Sequence, residues 1–377
     1  MKVLLVFGTR PEAIKLAPVI KELERHPHIT SRVCVTAQHR QMLDQVLQLF
    51  GINPDFDLDL MREDQSLFDV TASGLRGLEK VLQEEKPDIM LVQGDTTTAF
   101  VASLAAYYMK IKIGHVEAGL RTHDKFNPFP EEINRKLVDV LSDLWFAPTE
   151  KARQNLLGEG FPDEGIYVTG NTVIDALLWV TEQQSLPANR EELERVFQKR
   201  YGITLDERRV ILVTGHRRES FGRGFENICQ GLKLVAERNP DIQIVCPVHM
   251  NPNVREPVYR ILGGVENIRL IGPLDYTHFI FLMKRAYLIL TDSGGIQEEA
   301  PSLEKPVLVM REKTERPEAV EAGIAKLVGT DSKGIFQETQ RLLDHADEYD
   351  KIARAVNPFG DGKAAHRIVE ILLQQIK

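Results

Sequence analysis

Cysteine is scarce in this chain: Cys34, Cys229 and Cys246 are the only three in 377 residues, and no CxxC pair occurs. That excludes a disulfide framework and a zinc knuckle, and it reads as three buried thiols in a reducing, cytoplasmic setting. Positive charge is not in excess either. The formal net charge of −8 argues against a broad basic face for nucleic acid, although a few local cations and helix ends are enough to hold an anionic ligand. No apolar run approaches the ~20 residues of a membrane span. The opening MKVLLVF meets Gly8, Arg10 and Glu12 at once, so it is a first strand and not a targeting segment. No GxGxxG follows a strand, which weighs against NAD, and no GxxxxGK[ST] is present for an ATP-binding loop. No His, Cys or carboxylate pair has a clear metal-ligand spacing, so no catalytic metal is expected. Short internal repeats and low-complexity tracts are also missing.

What is present is alternation. β-Branched runs at Val3–Phe7, Ser31–Thr36, Asp88–Gln93 and Lys112–Glu117 read as buried strands. So do Val210–Thr214, Gln243–Val248, Ile268–Ile271, Leu288–Thr291 and Pro306–Met310. Helical periodicity fills the gaps, as in Glu12–Glu24, Arg40–Phe50, Phe68–Glu84, Thr97–Met109, Gly224–Arg238 and Tyr276–Arg285. This βαβα order predicts parallel sheets covered on both faces. The length suits two domains. A long helical region, Ile174–Lys199, separates the two runs, and the domain change is expected near Gly170. The architecture predicted is α/β, with residues 1–170 as one Rossmann-like domain, joined by a C-terminal helix (363–377), and 171–362 as a second. Both are doubly wound parallel sheets, facing across a cleft.

Three turns combine glycine with cations or helix starts. In Gly8-Thr9-Arg10-Pro11-Glu12, Gly8 relaxes the backbone, Pro11 suits a first helical turn, and Arg10 and Lys15 are placed to meet an anion. In Thr291-Asp292-Ser293-Gly294-Gly295, a helix begins beside small residues, which suits a diphosphate on backbone N–H groups. Glu298 or Glu299, one turn in, could accept from ribose hydroxyls, and the basic segment Arg311–Arg316 follows the next strand. Thr214-Gly215-His216-Arg217-Arg218-Glu219 is a dense cationic cluster at a strand end, and Arg offers planar bidentate donors to phosphate. Each turn also has a plainer reading: a solvated strand–helix turn, a Ser N-cap at Ser293, or Arg residues paired with Glu219 or Glu226.

Three carboxylates stand apart. Asp95 follows one strand, Glu117 ends the next, and Glu131 lies in Pro128-Phe129-Pro130-Glu131-Glu132. Strand ends on one edge of a parallel sheet converge, and paired carboxylates suit acid and base work. Any one of them also suits a cap or a salt bridge, and Asp95 is a natural N-cap for the helix starting at Thr97. His249 and His39 each follow a strand as well.

These motifs together resemble the bacterial, non-hydrolysing UDP-N-acetylglucosamine 2-epimerase family. The match comprises GTRPEAIKLAPVI (8–20), VTAQHRQMLDQVL (35–47), VQGDTTT (92–98), GHVEAGLRT (114–122), PEEINR (130–135) and VTGNTVIDAL (168–177). It continues through TGHRRESFG (214–222), PVHMNPNVREP (247–257) and TDSGGIQEEAPSLEKPVLVMREKTERPE (291–318), in order along essentially the whole chain. The resemblance implies a GT-B-like fold, a homodimer, no nicotinamide cofactor, and interconversion of UDP-GlcNAc and UDP-ManNAc through 2-acetamidoglucal. It also implies that UDP-GlcNAc is both substrate and allosteric activator. By residue matching, Asp95, Glu117, Glu131 and His216 would be catalytic. Arg10, Lys15, Ser293, Gly294, Gly295, Glu299 and Arg316 would bind substrate, with His216 also at the diphosphate. Gln38, Gln41 and His249 would fall at the activator site. Rival readings are a glycosyltransferase on the same fold, an epimerase of a related sugar, and a non-catalytic nucleotide-sugar sensor, which would lack the acids.

Overall fold

A computed structural model describes residues 1–36, 40–60, 65–204 and 208–375. The chain divides into two compact units, Met1–Ala176 with Phe359–Lys377, and Leu177–Pro358.

The first unit is built on seven strands: β1 (Lys2–Phe7), β2 (Thr30–Val35), β3 (Phe56–Asp57), β4 (Ile89–Gln93), β5 (Lys112–Val116), β6 (Leu144–Ala147) and β7 (Ile166–Val168). All pairings are parallel, in the order β3-β2-β1-β4-β5-β6-β7. Val3 to Phe7 are each 0% exposed, because helices cover both faces of the sheet and leave no position for a polar residue. The order reverses between β1 and β4. There the following helices depart to opposite faces, and the loops after both strands open a crevice at the carboxyl edge.

The second unit repeats the plan with β8 (Val210–Thr214), β9 (Gln243–Pro247), β10 (Ile268–Ile271), β11 (Leu288–Thr291), β12 (Val307–Val309) and β13 (Ala325–Leu327). Its order is β10-β9-β8-β11-β12-β13, again all parallel. The reversal lies between β8 and β11, where Thr214 and Thr291 are register partners and their hydroxyls hydrogen bond at 2.7 Å. Its core is aliphatic, with Ile211, Leu232, Ile244, Leu288, Leu290 and Leu308 among the buried residues. The architecture is therefore two α/β parallel-sheet units of the GT-B-like class.

The helical region expected over 174–199 consists of two helices, Thr172–Ser185 and Pro187–Tyr201. Pro187 cannot continue the first but suits the opening turn of the second. The last helix, Ala364–Gln374, packs on the helix Arg10–Glu24. Asp175 holds its start, accepting from the backbone N–H of Ala364 (3.2 Å) and Ala365 (2.8 Å). The return of the chain brings Gly360 against Gly170, whose φ is 88°, and a Cβ on Gly170 would lie 3.2 Å from the Gly360 Cα. No helix among the described residues is long and apolar enough to cross a membrane.

Candidate active site

In the first unit the turn after β1 is tight. A Cβ on Gly8 would collide with the Thr36 hydroxyl and lie 2.7 Å from that of Thr98. Thr9 caps the helix Arg10–Glu24, and Glu12 completes a capping box. One Glu12 oxygen accepts from Gly8 N (3.1 Å), Thr9 N (2.8 Å) and the Thr9 hydroxyl (2.7 Å). The other accepts from the Thr96 hydroxyl at 2.6 Å, in the turn after β4. Glu12 therefore ties together the two loops of the crevice. Its burial raises its pKa above the ordinary carboxylate value, and those hydrogen bonds only partly oppose the shift. Arg10 opens the helix with no side-chain partner among the described residues, and Lys15, one turn further on, ion-pairs with Glu117.

The three acids lie on this edge. Gln93 and Val116 are register partners at the ends of β4 and β5, so Asp95 and Glu117 follow neighbouring strands. Asp95 is not the helix cap. Thr96 takes that role, accepting from Ala99 N at 3.0 Å, and Asp95 instead pairs with Arg135. Asn134 donates to the Asp95 carbonyl at 3.0 Å. Glu117 is in the left-handed region (φ 70°), which turns its largely buried side chain toward Lys15. Glu131 stands in the first turn of the helix Glu131–Leu141, half-buried and with no hydrogen-bond or ion-pair partner among the described residues. One turn later, Arg135 reaches back to Asp95 and also holds the buried Glu132 at 3.2 Å. Behind the acids, fully buried His115 donates through Nε2 to the Gly94 carbonyl (2.8 Å), and its Nδ1 lies 2.6 Å from Asp139. The second Asp139 oxygen lies 2.8 Å from Arg121 Nη2. This buried chain fixes the glycine turn that carries Asp95.

In the second unit the loops after β8 and β11 are joined by Asp292, which is 0% exposed. One of its oxygens accepts from His216 N (2.7 Å) and Arg217 N (2.8 Å), and the other lies 3.3 Å from His216 Nδ1. Burial draws the His216 pKa below its ordinary value. Asp292 pulls it upward, while Arg217 and His249 add to the lowering. His249 stacks on His216, with ring centroids 5.5 Å apart. Ser293 precedes the helix Gly294–Glu299 but makes no side-chain cap, so its hydroxyl is not consumed there. A Cβ on Gly295 would lie 3.6 Å from Glu299 Oε1 and 4.0 Å from Ser293 Oγ, which places that carboxylate and that hydroxyl together at the helix start. Arg316 ion-pairs with buried Glu298, and Arg217 pairs with Glu315 and not with Glu219 or Glu226.

Gln38 and His39 lie outside the described residues, as does the side chain of Gln41. Five groups that shape these sites were not singled out from sequence: Glu12, His115, Arg135, Asp139 and Asp292. For Arg135 a signal existed, because it lies four residues after Glu131 and hence on the same helix face. For Glu12 one existed as well, the Thr9-x-x-Glu12 spacing of a capping box, whereas His115, Asp139 and Asp292 have partners that come from other elements.

The arrangement offers loops suited to an anion in each unit and a set of acids in the first. The family model for UDP-N-acetylglucosamine 2-epimerase matches residues 21–373. The UDP-N-acetylglucosamine 2-epimerase of Salmonella typhimurium is 58% identical over 372 residues, covering 99% of this chain and 98% of that protein. A crystal structure of UDP-GlcNAc 2-epimerase from Neisseria meningitidis bound to UDP-GlcNAc is 52% identical with a TM-score of 0.90, covering 99% of this chain and 100% of the other. The Methanocaldococcus jannaschii UDP-GlcNAc 2-epimerase, in complex with UDP-GlcNAc and UDP, is 36% identical with a TM-score of 0.80 over 99% and 100% of the two chains. With the same fold, a 58% identical relative and a family match over nearly its full length, the chain belongs to the UDP-N-acetylglucosamine 2-epimerase family.

Proposed function

We propose that this protein catalyses reversible C2 epimerisation of UDP-GlcNAc to UDP-ManNAc by elimination and re-addition of UDP. The observation that carries the reading is the disposition of the acids: Asp95 and Glu117 at the ends of adjacent strands, each paired with a cation, and Glu131 without a partner among the described residues. The C2 proton is not next to a carbonyl, so it is removed only as the C1–O bond breaks. A carboxylate takes the proton, the C–H electrons form the C1–C2 double bond, and the C1–O pair leaves with UDP. In the return step the UDP oxygen attacks C1 and a carboxylic acid delivers a proton to the opposite face of C2. No nicotinamide is called for by this route. Asp95 and Glu117 share the proton transfers, with Glu131 positioning or assisting.

UDP departs as an anion, and cations with oriented N–H groups stabilise that developing charge. Arg10, Lys15, His216, Ser293, Gly294, Gly295, Glu299 and Arg316 are assigned to holding it. Asp292 lies against His216 Nδ1 and leaves Nε2 for the ligand. Gln38, Gln41 and His249 are assigned to an activator site for a second substrate molecule, and the His249–His216 stack is a direct physical link to the catalytic set.

The reading includes a homodimer. Ile133, Leu137 and Val140 form an exposed apolar stripe on the helix Glu131–Leu141, with exposed Tyr107, Tyr108 and Met109 at the end of the neighbouring helix. Such exposed apolar side chains on neighbouring helices suit association. A cytoplasmic site fits three free, buried thiols, and the product class suits cell-surface polysaccharide synthesis. The test is proton NMR of the purified protein with UDP-GlcNAc alone in D2O. UDP-ManNAc carrying deuterium at C2 is expected, whereas no conversion, or only free UDP and sugar, rejects the reading.

A further inference from the structure

Near the start of the helix Gly294–Glu299 three arginines are already matched by carboxylates, and the matches are unequal. Arg316 is held by Glu298, which is 2% exposed and locked in place. Arg311, 7% exposed, donates through Nε to Glu219 at 2.6 Å. Glu315 lies between Arg217 Nη2 at 3.3 Å and Arg311 Nη2 at 3.4 Å. Those distances exceed the roughly 2.7–2.9 Å of a strong charge-assisted bond, so Glu315 is the most loosely held anion of the set. It is also the anion beside the helix start. A Cβ on Gly294 would lie 3.6 Å from Glu315 Oε2 and 3.9 Å from both Arg217 Nη2 and Arg316 Cζ. Two buried guanidinium nitrogens of the cluster, Arg217 Nε and Arg311 Nη1, have no hydrogen-bond partner among the described residues. The cluster therefore holds more donor capacity than its carboxylates use.

We propose that Glu315 is an internal competitor of the ligand diphosphate: its carboxylate and the phosphate oxygens contend for Arg217 and Arg311, and Glu315 swings aside when the nucleotide binds. This rests on the placement of UDP at Gly294 argued above. Burial alone would raise the Glu315 carboxyl, yet Arg217, Arg311 and Arg316 hold it below the ordinary carboxylate value, so the competitor stays charged at neutral pH. Its consequence is weaker UDP binding and faster release than the three arginines would otherwise give. A reversible enzyme gains from that, because nucleotide bound too tightly at the ground state slows turnover.

The experiment is calorimetric titration of the full-length protein with UDP, for wild type, Glu315→Gln, Glu315→Ala and Arg316→Ala, with thermal unfolding of each as the control for folding. If Glu315 competes, both Glu315 variants bind UDP about five-fold more tightly, the scale expected for losing a half-exposed ion pair, and Arg316→Ala binds more weakly. If Arg316→Ala weakens binding while the Glu315 variants are unchanged or weaker, Glu315 only positions the arginines and the proposal is overturned. If Arg316→Ala binds UDP as wild type does, UDP lies elsewhere, and the site reading fails together with the proposal.

Discussion

Replacing Asp292 with Asn should cripple turnover while leaving the loop intact. Asp292 is fully buried, and a single one of its oxygens accepts from the backbone N–H of both His216 and Arg217, at 2.7 and 2.8 Å. The amide oxygen of Asn can keep both bonds. What is lost is the negative charge 3.3 Å from His216 Nδ1. Burial, Arg217 and His249 all push the His216 pKa down, and Asp292 is the one neighbour that pulls it up. Asp292→Asn therefore moves the His216 titration to lower pH and weakens the charged ring at the position proposed for UDP departure. A charge-assisted contact is worth about 1.5–3 kcal/mol, or roughly ten- to hundred-fold in rate at about 1.4 kcal/mol per decade. The His216 side chain is 44% exposed, so solvent screening sets the expectation at the low end, about ten-fold in kcat. The assay is NMR-monitored conversion of UDP-GlcNAc at a series of pH values, with KM followed separately. A kcat within about two-fold of wild type, with an unmoved pH profile, would refute the role of this pair.

Asp95→Asn should lower turnover by at least about hundred-fold, the usual scale for a lost acid–base group, with folding retained; near-normal deuterium incorporation at C2 would remove Asp95 from the scheme. Asp175 gives a pH signature. Its pKa is raised by burial from 3.8 to about 6, against the N–H bonds of Ala364 and Ala365. Between those values the folded chain binds the extra proton, so stability from this group is greatest at low pH and is lost as pH rises through 6. From pH 7.5 to 4.5 wild type should gain about 2 kcal/mol on Asp175→Asn in chemical denaturation, and a pH-independent difference would contradict this. Gly8→Ala should destabilise the first unit by about 1–3 kcal/mol, because the added methyl meets the Thr36 and Thr98 hydroxyls. The check is its unfolding midpoint, together with weaker UDP binding through the displaced Arg10 turn.

Much of this protein is written locally. The alternation of buried β-branched runs with amphipathic stretches was enough for two parallel-sheet α/β units, since a strand covered on both faces admits little but aliphatic residues, as Val3 to Phe7 show. Strand ends also carried their chemistry in the sequence. Asp95 and Glu117 follow adjacent strands, and glycine marks the turns after β1, β8 and β11, with cations beside it after β1 and β8. The strands β3, β6, β7 and β13, of two to four residues, were not read from the sequence. They are strands because a neighbour offers a ladder to join. Partner choice was equally invisible. Asp95 could cap a helix or pair with a cation, and Thr96 took the cap because its hydroxyl also serves Glu12. Arg217 found Glu315, 98 residues away, and not Glu219 or Glu226 nearby. His115 found Asp139 and the Gly94 carbonyl, 24 and 21 residues away in sequence. Propensity and periodicity act between residues close in sequence, so the sequence by itself determined the elements and the residue types at their ends. Ion pairs and buried hydrogen bonds act between residues close in space, and only the tertiary structure decided which charges are spent on each other and which remain for a ligand.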